Sequence, residues 1–500
     1  MTLSSGQAGL PSPNPSKSYW LQDPSTTLLG HHSTPDLPQT ADIVIVGSGI
    51  TGAFATHFLK KGLNENGLGQ RAGESVVLLE AREACFGATG RNGGHCQPFV
   101  YGNAPSVAAF ELANYHFIRD LVKKEDIPCD WVDVTGVHAY LTPALFDAAA
   151  ATAKRLKVSH PDIAKGLEVV QPTDTKRLAE LRVPNAAGVI VQQHAASLWP
   201  YKLVAHILES LLHTFPPSEF NLQANTPVTS LTQLRSLVES DLKWQITTPR
   251  GTILANQVLL ATNGYTSHLI PDMSDLIVPV RGQIAALLPT RNQPPPQLNH
   301  SYVFASQQSS TTPWRDDYLV QRPLDSVKGE FIFGGGRGFA RNKGLDEWRD
   351  DEVEPEVSRF LKANLCPPLD LGASGEASPL AAEYEWTGIM GYSRDLHPWV
   401  GAVPGSVGGG EGLFVSAGYT GHGMPNAVLS ARGVVEMMRG MGRGESGVEY
   451  MVPEKYVLSE ERVGRVRSGD TVGEAQAKDL WLEAFPDLRP VAEEEGTRAR

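Results

Sequence analysis

The chain has 500 residues, of which 41% are hydrophobic and 20% are charged, and its formal net charge is −12. A chain of this length exceeds one ordinary core and predicts two domains, and its hydrophobic fraction excludes a largely disordered or fibrous protein. The surplus of 55 Asp and Glu over 43 Lys and Arg repels phosphate backbones, so we expect no nucleic-acid partner.

Cysteine usage and hydropathy indicate the compartment. The four cysteines include no C-x-x-C pair, which favours a reducing compartment and gives no zinc signature, and no metal site is predicted. No run of about 18 apolar residues occurs, so we expect no transmembrane helix and no membrane partner. The N-terminus lacks the apolar core of a secretory signal. We therefore expect a soluble, cytoplasmic protein.

Composition separates two tails from a central body. Residues 1–38 are rich in Ser, Pro, Thr and Gly, which predicts a disordered leader with at most a short docking segment at Tyr19 to Leu21. Residues 463–500 are charged and weakly apolar, and predict a poorly ordered tail. Between them, alternating strand and helix patterns predict an α/β protein.

The first predicted strand, Ala41 to Val46, runs directly into a Gly-x-Gly-x-x-Gly turn and an apolar helix. Gly47 permits the tight turn, Gly49 lets a pyrophosphate approach the backbone, and Gly52 lets the helix pack closely on the sheet. The start of the helix offers free N–H groups and a partial positive charge to phosphates. The residues predicted to bind the dinucleotide phosphates are Gly47, Gly49, Ile50, Thr51 and Gly52.

The second predicted strand, Val76 to Leu79, ends in Glu80, whose carboxylate can accept hydrogen bonds from both ribose hydroxyls of an adenosine. Glu80 follows Gly52 by 28 residues, more than the usual ~20, and the polar segment 62–75 explains the excess as a surface insertion. A lone glycine motif is a weak signal, but this order of strand, glycines, helix, strand and acid is specific.

A second glycine-rich segment follows Glu80 and distinguishes between cofactors. A dinucleotide fold does not itself choose its cofactor, and an NAD-linked dehydrogenase, one alternative, needs no such segment. Residues 87–94 have the sequence GATGRNGG, which resembles the loop beside the flavin in the D-amino-acid oxidase superfamily, in the branch of glycine oxidases and γ-glutamylputrescine oxidases. The FAD contacts that this resemblance implies are Ala81, Arg82, Gly90, Arg91, Asn92, Gly93 and Gly94.

Three later segments resemble the same superfamily. Pro227 to Leu231 resembles the strand that brackets the adenine, and Val258 to Tyr265 resembles an Ala-Thr-Asn-Gly element at the edge of the FAD domain. Gly412 to Pro425 resembles the C-terminal flavin-binding strand and helix, where backbone N–H groups would stabilise negative charge at the flavin N1–C2=O edge. The further FAD contacts implied are Val228, Thr262, Gly264, Gly388, Gly421, His422, Gly423 and Met424.

The resemblance implies a Rossmann-like FAD-binding domain that is discontinuous in sequence, and an α+β substrate domain built on a mostly antiparallel sheet. Non-covalent FAD is expected, because sarcosine-oxidase relatives attach the flavin through a cysteine in the region matching residues 386–391, where this chain has none. The expected ranges are 39–110, 190–270 and 386–462 for the FAD-binding domain, and 111–189 and 271–385 for the substrate domain.

The resemblance further implies oxidation of the C–N bond of a small amine or amino acid by hydride transfer to flavin N5, with O2 as the electron acceptor. Arg281 could equally form a structural ion pair at the domain seam. Relatives hold a substrate carboxylate with a lysine where this chain has Met424 and Pro425, which favours an amine or a carboxylate held elsewhere. The candidate catalytic residues are His95, Arg281, Arg337 and His422.

Two alternatives within the same fold stay open. One is an FAD-dependent dehydrogenase that passes electrons to a quinone or a carrier. The other is a non-catalytic protein that keeps FAD as a structural element.

Overall fold

The computed structural model describes residues 4–234, 242–289, 296–309, 313–324, 329–372, 379–442, 451–477 and 484–485. Within these ranges the named strands form two sheets. The strands of the first sheet are β1 (Thr40–Val46), β2 (Val76–Leu79), β7 (Phe220–Gln223), β8 (Ser230–Gln233), β9 (Trp244–Thr248), β10 (Gly251–Leu260), β16 (Trp399–Ala402) and β17 (Leu413–Ala417). Those of the second sheet are β3 (His95–Cys96), β4 (Val132–Tyr140), β5 (Glu168–Val170), β6 (Gly188–Ser197), β11 (Ile277–Leu287), β12 (His300–Ser306), β13 (Arg315–Gln321), β14 (Phe331–Gly334) and β15 (Ala382–Ser393). The helices are α1 (Ile50–Lys61), α2 (Pro105–Lys124), α3 (Pro143–Ser159), α4 (Thr175–Glu180), α5 (Pro200–Thr214), α6 (Thr266–Leu269), α7 (Pro355–Ala363), α8 (Ala427–Met438), α9 (Glu460–Arg467) and α10 (Val472–Ala477).

The first sheet has a parallel centre in the order β17, β10, β1, β2 and β7, with antiparallel β16 at one edge. Ile45 of β1 lies between Leu78 and Leu259 and is fully buried, as its β-branched pattern predicts. Helices α1, α5 and α8 pack together beside the sheet. The carboxyl ends of the parallel strands therefore meet at one edge, where α/β sheets bind their ligands.

The second sheet is antiparallel in its described pairings except for β4 beside β12. The α/β class with a Rossmann-like part and a mostly antiparallel second sheet is thus confirmed. Three strands differ from the expected ranges: β3, β6 and β15 belong to the second sheet, although their residues fall wholly or largely in the ranges expected for the FAD-binding domain. Strand patterns show which residues are buried but not which sheet a strand joins.

The leader differs from the expectation of disorder. Residues 4–38 are described, and Tyr19 and Trp20 have exposed fractions of 1% and 0% in a short 3-10 helix capped by Ser18. Further along, Ser33 donates from its backbone N–H to the carbonyl of Leu222 on β7. The expectation of disorder depended on the polar composition of the leader. Burial of the Tyr19 and Trp20 rings stabilises the ordered leader despite that composition.

The tail is also more structured than expected, as far as it is described. Helix α9 is fastened by Arg462, whose guanidinium donates to Asp395 at 2.8 and 3.0 Å. Phe485 is fully buried. The remainder of the predicted tail, residues 478–483 and 486–500, lies outside the described residues. Across the described ranges no helix is long and apolar enough to cross a membrane.

Candidate active site

A cavity of about 600 Å³ lies between the carboxyl edge of the first sheet and the second sheet. Its walls include most of the residues that the sequence predicts for FAD and substrate, drawn from segments up to 377 positions apart. The predicted residues that line it are Gly47, Gly49, Ile50, Thr51, Glu80, Ala81, Arg82, Arg91, Asn92, Gly93, His95, Val228, Thr262, Arg337, Gly388, Gly421, His422, Gly423 and Met424. The predicted residues that do not line it are Gly52, Gly90, Gly94, Gly264 and Arg281.

The turn between β1 and α1 has the geometry that its glycines predict. Gly47 has a φ of +102°, which L side chains rarely adopt. A Cβ on Gly52 would lie 1.9 Å from the Gly47 carbonyl oxygen, so Gly52 serves the close packing of helix and turn. The backbone N–H groups of Gly49 and Thr51 have no acceptor among the described residues. They are available to phosphate oxygens at the start of the helix.

Glu80 lies at the carboxyl end of β2 with an exposed fraction of 8%. Its Oε2 accepts from the Ser48 backbone N–H at 3.0 Å and from the Ser48 hydroxyl at 2.7 Å, and its Oε1 accepts from the Arg82 N–H at 3.0 Å. A carboxylate has about four acceptor positions, so Glu80 keeps room for a ribose hydroxyl while it fixes the phosphate turn.

The glycines of the loop after Glu80 allow other parts of the protein to pack closely against the loop. A Cβ on Gly93 would lie 2.0 Å from the Tyr318 ring, one on Gly90 would lie 2.3 Å from the Cys85 carbonyl oxygen, and one on Gly94 would lie 2.6 Å from the Trp20 ring. All three glycines are thus packed against protein atoms, only Gly93 of the three also lines the cavity, and the FAD contacts expected of this loop stay a prediction.

The turn between β17 and α8 brings two of the resembling segments together. Asn263 Oδ1 accepts from the N–H groups of Gly418 at 3.0 Å and Tyr419 at 3.4 Å. Gly264 lies behind this contact, where a Cβ would be 2.7 Å from the Met390 carbonyl oxygen. In the described part of the chain, the N–H groups of Gly423 and Met424 have no acceptor. The turn therefore offers two free donors to the cavity.

Helix α2 fixes this turn through two buried polar residues that sequence reasoning missed. Glu111 accepts from the Phe99 N–H at 2.7 Å and from Asn426 Nδ2 at 2.8 Å. Asn114 donates to the Met424 carbonyl at 2.9 Å and accepts from the N–H of Leu429 on α8 at 2.9 Å. The signal in the sequence is two polar residues three positions apart on the apolar face of a helix, since such residues need buried partners.

His422 lies beside Glu111, with 3.7 Å between Nδ1 and Oε1, and 48% of its side chain is exposed. Burial lowers the pKa of His422, but the neighbouring Glu111 carboxylate outweighs burial, and the net pKa is raised above its usual value. His95 differs, because burial lowers its pKa to about 3. Its Nε2 is 2.9 Å from the Ser301 hydroxyl. Of these two cavity histidines, His422 therefore favours the cation and His95 stays neutral.

A second polar cluster is centred on Tyr101, and its members Gln97, His138 and Tyr140 line the cavity. The Tyr101 hydroxyl lies 2.6 Å from His138 Nδ1 and 2.5 Å from the Tyr140 hydroxyl, and Gln97 bonds His138 Nε2. Burial lowers the pKa of His138 to about 3. The residues come from the Gln97–Tyr101 segment and β4, so only the fold assembles them.

The two candidate arginines have different surroundings. Arg281 does not line the cavity, and its Nη2 donates to Glu354 at 2.6 Å, which makes it the structural ion pair of the alternative interpretation. Arg337 lines the cavity with 5% exposure, its Nη2 bonds Asp316 at 3.1 Å, and it lies over the rings of Trp314 and Tyr392. Its Nη1 has no acceptor among the described residues. Arg337 therefore keeps unused donor capacity.

The donor and acceptor set of the cavity fits FAD. Free N–H groups at residues 49 and 51 suit a pyrophosphate, the Glu80 carboxylate suits a ribose, and the N–H groups of Gly423 and Met424 suit the electron-rich edge of a flavin. None of the four cysteines lines the cavity, and all are unpaired.

His57, on the buried face of α1, makes stability depend on pH. Burial, with a smaller contribution from Lys61, lowers its pKa to about 4. The unfolded chain binds this proton below about pH 6.5 whereas the folded chain does not, so stability falls as the pH falls from about 6.5 to 4. We expect His57→Phe to reduce this loss by about 1.4 kcal/mol per pH unit, because it removes the titrating group. The measurement is the thermal midpoint between about pH 6.5 and 5 at saturating FAD.

The control for His57→Phe is His213→Phe, since His213 is exposed at the end of α5. It should lose stability with acid as the parent does. An identical pH dependence in His57→Phe and the parent would refute the assignment.

A parallel, glycine-turned sheet whose carboxyl edge faces a largely antiparallel sheet across a dinucleotide-sized cavity defines a two-domain flavoenzyme fold. A family model described as FAD dependent oxidoreductase matches residues 42–437. The chain belongs to this family of FAD-dependent oxidoreductases.

Individual proteins agree with the family assignment. Gamma-glutamylputrescine oxidoreductase of Escherichia coli (strain K12) is 21% identical over 416 residues, which cover 80% of this chain and 84% of that protein. The crystal structure of L-proline dehydrogenase from P. horikoshii is similar with a TM-score of 0.63 and 17% identity, over 86% of this chain and 99% of that one. Glycine oxidase from Geobacillus kaustophilus is similar with a TM-score of 0.61 and 16% identity, over 85% and 99%. The two structural similarities show the shared fold.

Proposed function

We propose that the chain oxidises the C–N bond of a small amine that also carries a carboxylate, with FAD bound non-covalently in the cavity and O2 as the electron acceptor. The observation that carries the proposal is Arg337, a buried guanidinium at the cavity wall with unused donor capacity. Guanidinium groups bind carboxylates in a fixed geometry. The relatives named for glycine, proline and γ-glutamylputrescine support the amine class.

The chemistry follows from what each side chain can hold. FAD supplies a two-electron acceptor at flavin N5. The substrate α-C–H bond breaks, its hydrogen and electron pair leave as hydride, and a C=N bond forms that water then hydrolyses. Arg337 binds the carboxylate, which orients the α-carbon, while His95 and His138 add no charge of their own to the cavity wall.

Oxygen as the acceptor is supported by His422. The Glu111 carboxylate raises the pKa of His422 and so favours its cationic form beside the free N–H groups of residues 423 and 424. A fixed cation stabilises the negative charge that develops when oxygen takes up electrons. The alternative, a dehydrogenase that uses a quinone or a carrier, shares every other feature of the site.

The test is anaerobic mixing of the yellow protein with amines, followed by exposure to air. We expect amines that carry a carboxylate to bleach the flavin band at about 450 nm and uncharged amines of equal length to bleach it far more slowly. Fast recovery of the band in air supports an oxidase, whereas slow recovery with rapid reduction of a quinone would favour the dehydrogenase. A flavin band that no amine bleaches would favour the remaining alternative, a protein that keeps FAD as a structural element.

A further inference from the structure

Residues 4–22, here called the strap, run along the FAD site, and Gly9, Leu10 and Pro11 line the same cavity as Glu80 and Arg82. The strap is held at its start, where the Gly6 N–H donates to Asp346 at 3.0 Å and the Ala8 N–H donates to the Ser267 hydroxyl at 2.9 Å. Ala8 is fully buried. This part of the chain is therefore fastened to α6, which follows the Ala-Thr-Asn-Gly element directly.

The middle of the strap completes the surroundings of two buried arginines of the cavity wall. Ser12 accepts from Arg82 Nη1 at 3.2 Å through its carbonyl, and Ser16 accepts from Arg91 Nη2 at 2.5 Å through its carbonyl and at 2.7 Å through its hydroxyl. Both arginines also pair with Asp350, at 3.0 and 3.2 Å. The strap thus adds neutral acceptors to the one carboxylate, beside the carbonyls of Phe86 and Thr387 that also accept from these arginines.

The end of the strap is anchored in the glycine-rich loop. Trp20 is fully buried, and its Nε1 donates to the Asn92 carbonyl at 2.5 Å. The Ser18 hydroxyl donates to the Gly90 carbonyl at 2.7 Å. The Trp20 ring occupies the space that a Cβ on Gly94 would need. The loop after Glu80 and the strap are therefore shaped to each other.

The composition of the strap lowers the conformational entropy that is lost when the strap docks. Pro11, Pro13 and Pro15 alternate along it. Proline fixes φ near −65° and has no N–H, so an extended segment of this kind loses little backbone entropy on docking and leaves few donors to satisfy.

We propose that the strap is a cofactor-binding segment: residues 9–11 contact the bound FAD, Ser12 and Ser16 hold Arg82 and Arg91 in place for it, and release of FAD requires residues 4–17 to lift from the cavity. Docking of the strap and binding of FAD then strengthen each other. The proposal concerns the cofactor and does not depend on which substrate is oxidised.

Lys17 provides a test on the unmodified protein, because it is exposed and is the one Lys or Arg before Lys60. Trypsin should remove the first 17 residues, and we expect saturating FAD to slow this cleavage about tenfold relative to the apoprotein, since cleavage needs a lifted strap. Cleavage after Lys157, which precedes the 86%-exposed Val158, serves as the internal control and should not change. Equal rates at Lys17 with and without FAD, or equal protection at both sites, would overturn the proposal.

The second test compares Leu10→Asp with Leu29→Asp. The two leucines have similar exposed fractions, 38% and 43%, but only Leu10 lines the cavity. We expect FAD to dissociate about tenfold faster from Leu10→Asp, as measured by the fluorescence of released flavin, because an apolar contact is lost and a negative charge enters the site of an anionic cofactor. Leu29→Asp should release FAD at the parent rate. Equal release from both variants would contradict a role of the strap in holding FAD.

Discussion

Arg337→Met should lower kcat/KM for an amine that carries a carboxylate by about 10²- to 10³-fold, since removing one partner of a buried charged pair costs roughly 2 to 5 kcal/mol. For an uncharged amine of equal length, kcat/KM should change little. The physical reason is that the guanidinium of Arg337 is buried at the cavity wall with only Asp316 as its charged partner among the described residues. Steady-state kinetics with the two substrates measure the difference.

Arg341→Met is the matched control for Arg337→Met. Arg341 lies four positions later, and 69% of its side chain is exposed, with Glu347 as an ion-pair partner. Its removal should leave both substrates unaffected, because exposed pairs contribute little. Equal losses for charged and uncharged amines in Arg337→Met would show that Arg337 supports the fold and does not bind the substrate.

Gly52→Ala should abolish FAD binding. The added Cβ would lie 1.9 Å from the Gly47 carbonyl oxygen, and because the Cβ is fixed to the helix backbone and the oxygen to the backbone of the turn, the turn must open. We expect an affinity for FAD at least about 100-fold lower, as the free N–H groups at the start of α1 move away from the phosphates. Absorbance of the purified protein and titration of the apoprotein with FAD measure this loss.

Gly464→Ala is the control for Gly52→Ala, because Gly464 lies in α9 and a Cβ there would meet no atom within 4 Å. Alanine is favoured over glycine inside a helix by about 1 kcal/mol, so this variant should be at least as stable as the parent and equally yellow. Full FAD occupancy in Gly52→Ala would contradict the role of the turn.

The contiguous part of the FAD site could be predicted from the sequence. From β1 to Glu80, each residue is specified by its neighbours in the chain: a buried parallel strand, a turn that requires Gly47, a helix start and an acid at the next strand end. The C-terminal turn could be found for the same reason, since its glycines and α8 follow β17 directly.

The substrate side could not be predicted to the same depth, because its residues meet only after folding. Arg281 lies on β11 and Arg337 follows β14, and both strands belong to the second sheet. Their neighbours in the sequence do not show that Arg281 pairs with three glutamates whereas Arg337 lines the cavity. The partnership of Glu111 with His422 joins positions 311 residues apart. Such pairings depend on sheet order and helix packing, which a periodic pattern does not specify.

The leader shows a different limit. Its Ser and Pro content resembles that of disordered segments, yet the same prolines lower the entropy lost on docking, and Tyr19 and Trp20 supply the apolar surface that holds it. The average composition of the leader does not reveal the effect of these two aromatic residues. The distinction between a mobile leader and a docked strap therefore lies in a few side chains and their partners in the loop after Glu80.

The most direct measurement is the absorbance spectrum of the purified protein during anaerobic titration with an amine that carries a carboxylate. We predict about one FAD per chain, a band near 450 nm that the amine bleaches completely, and bleaching about 10²- to 10³-fold slower in Arg337→Met while the FAD stays bound. A colourless protein that takes up no FAD, or a bound flavin that stays oxidised with every amine tested, would contradict the account.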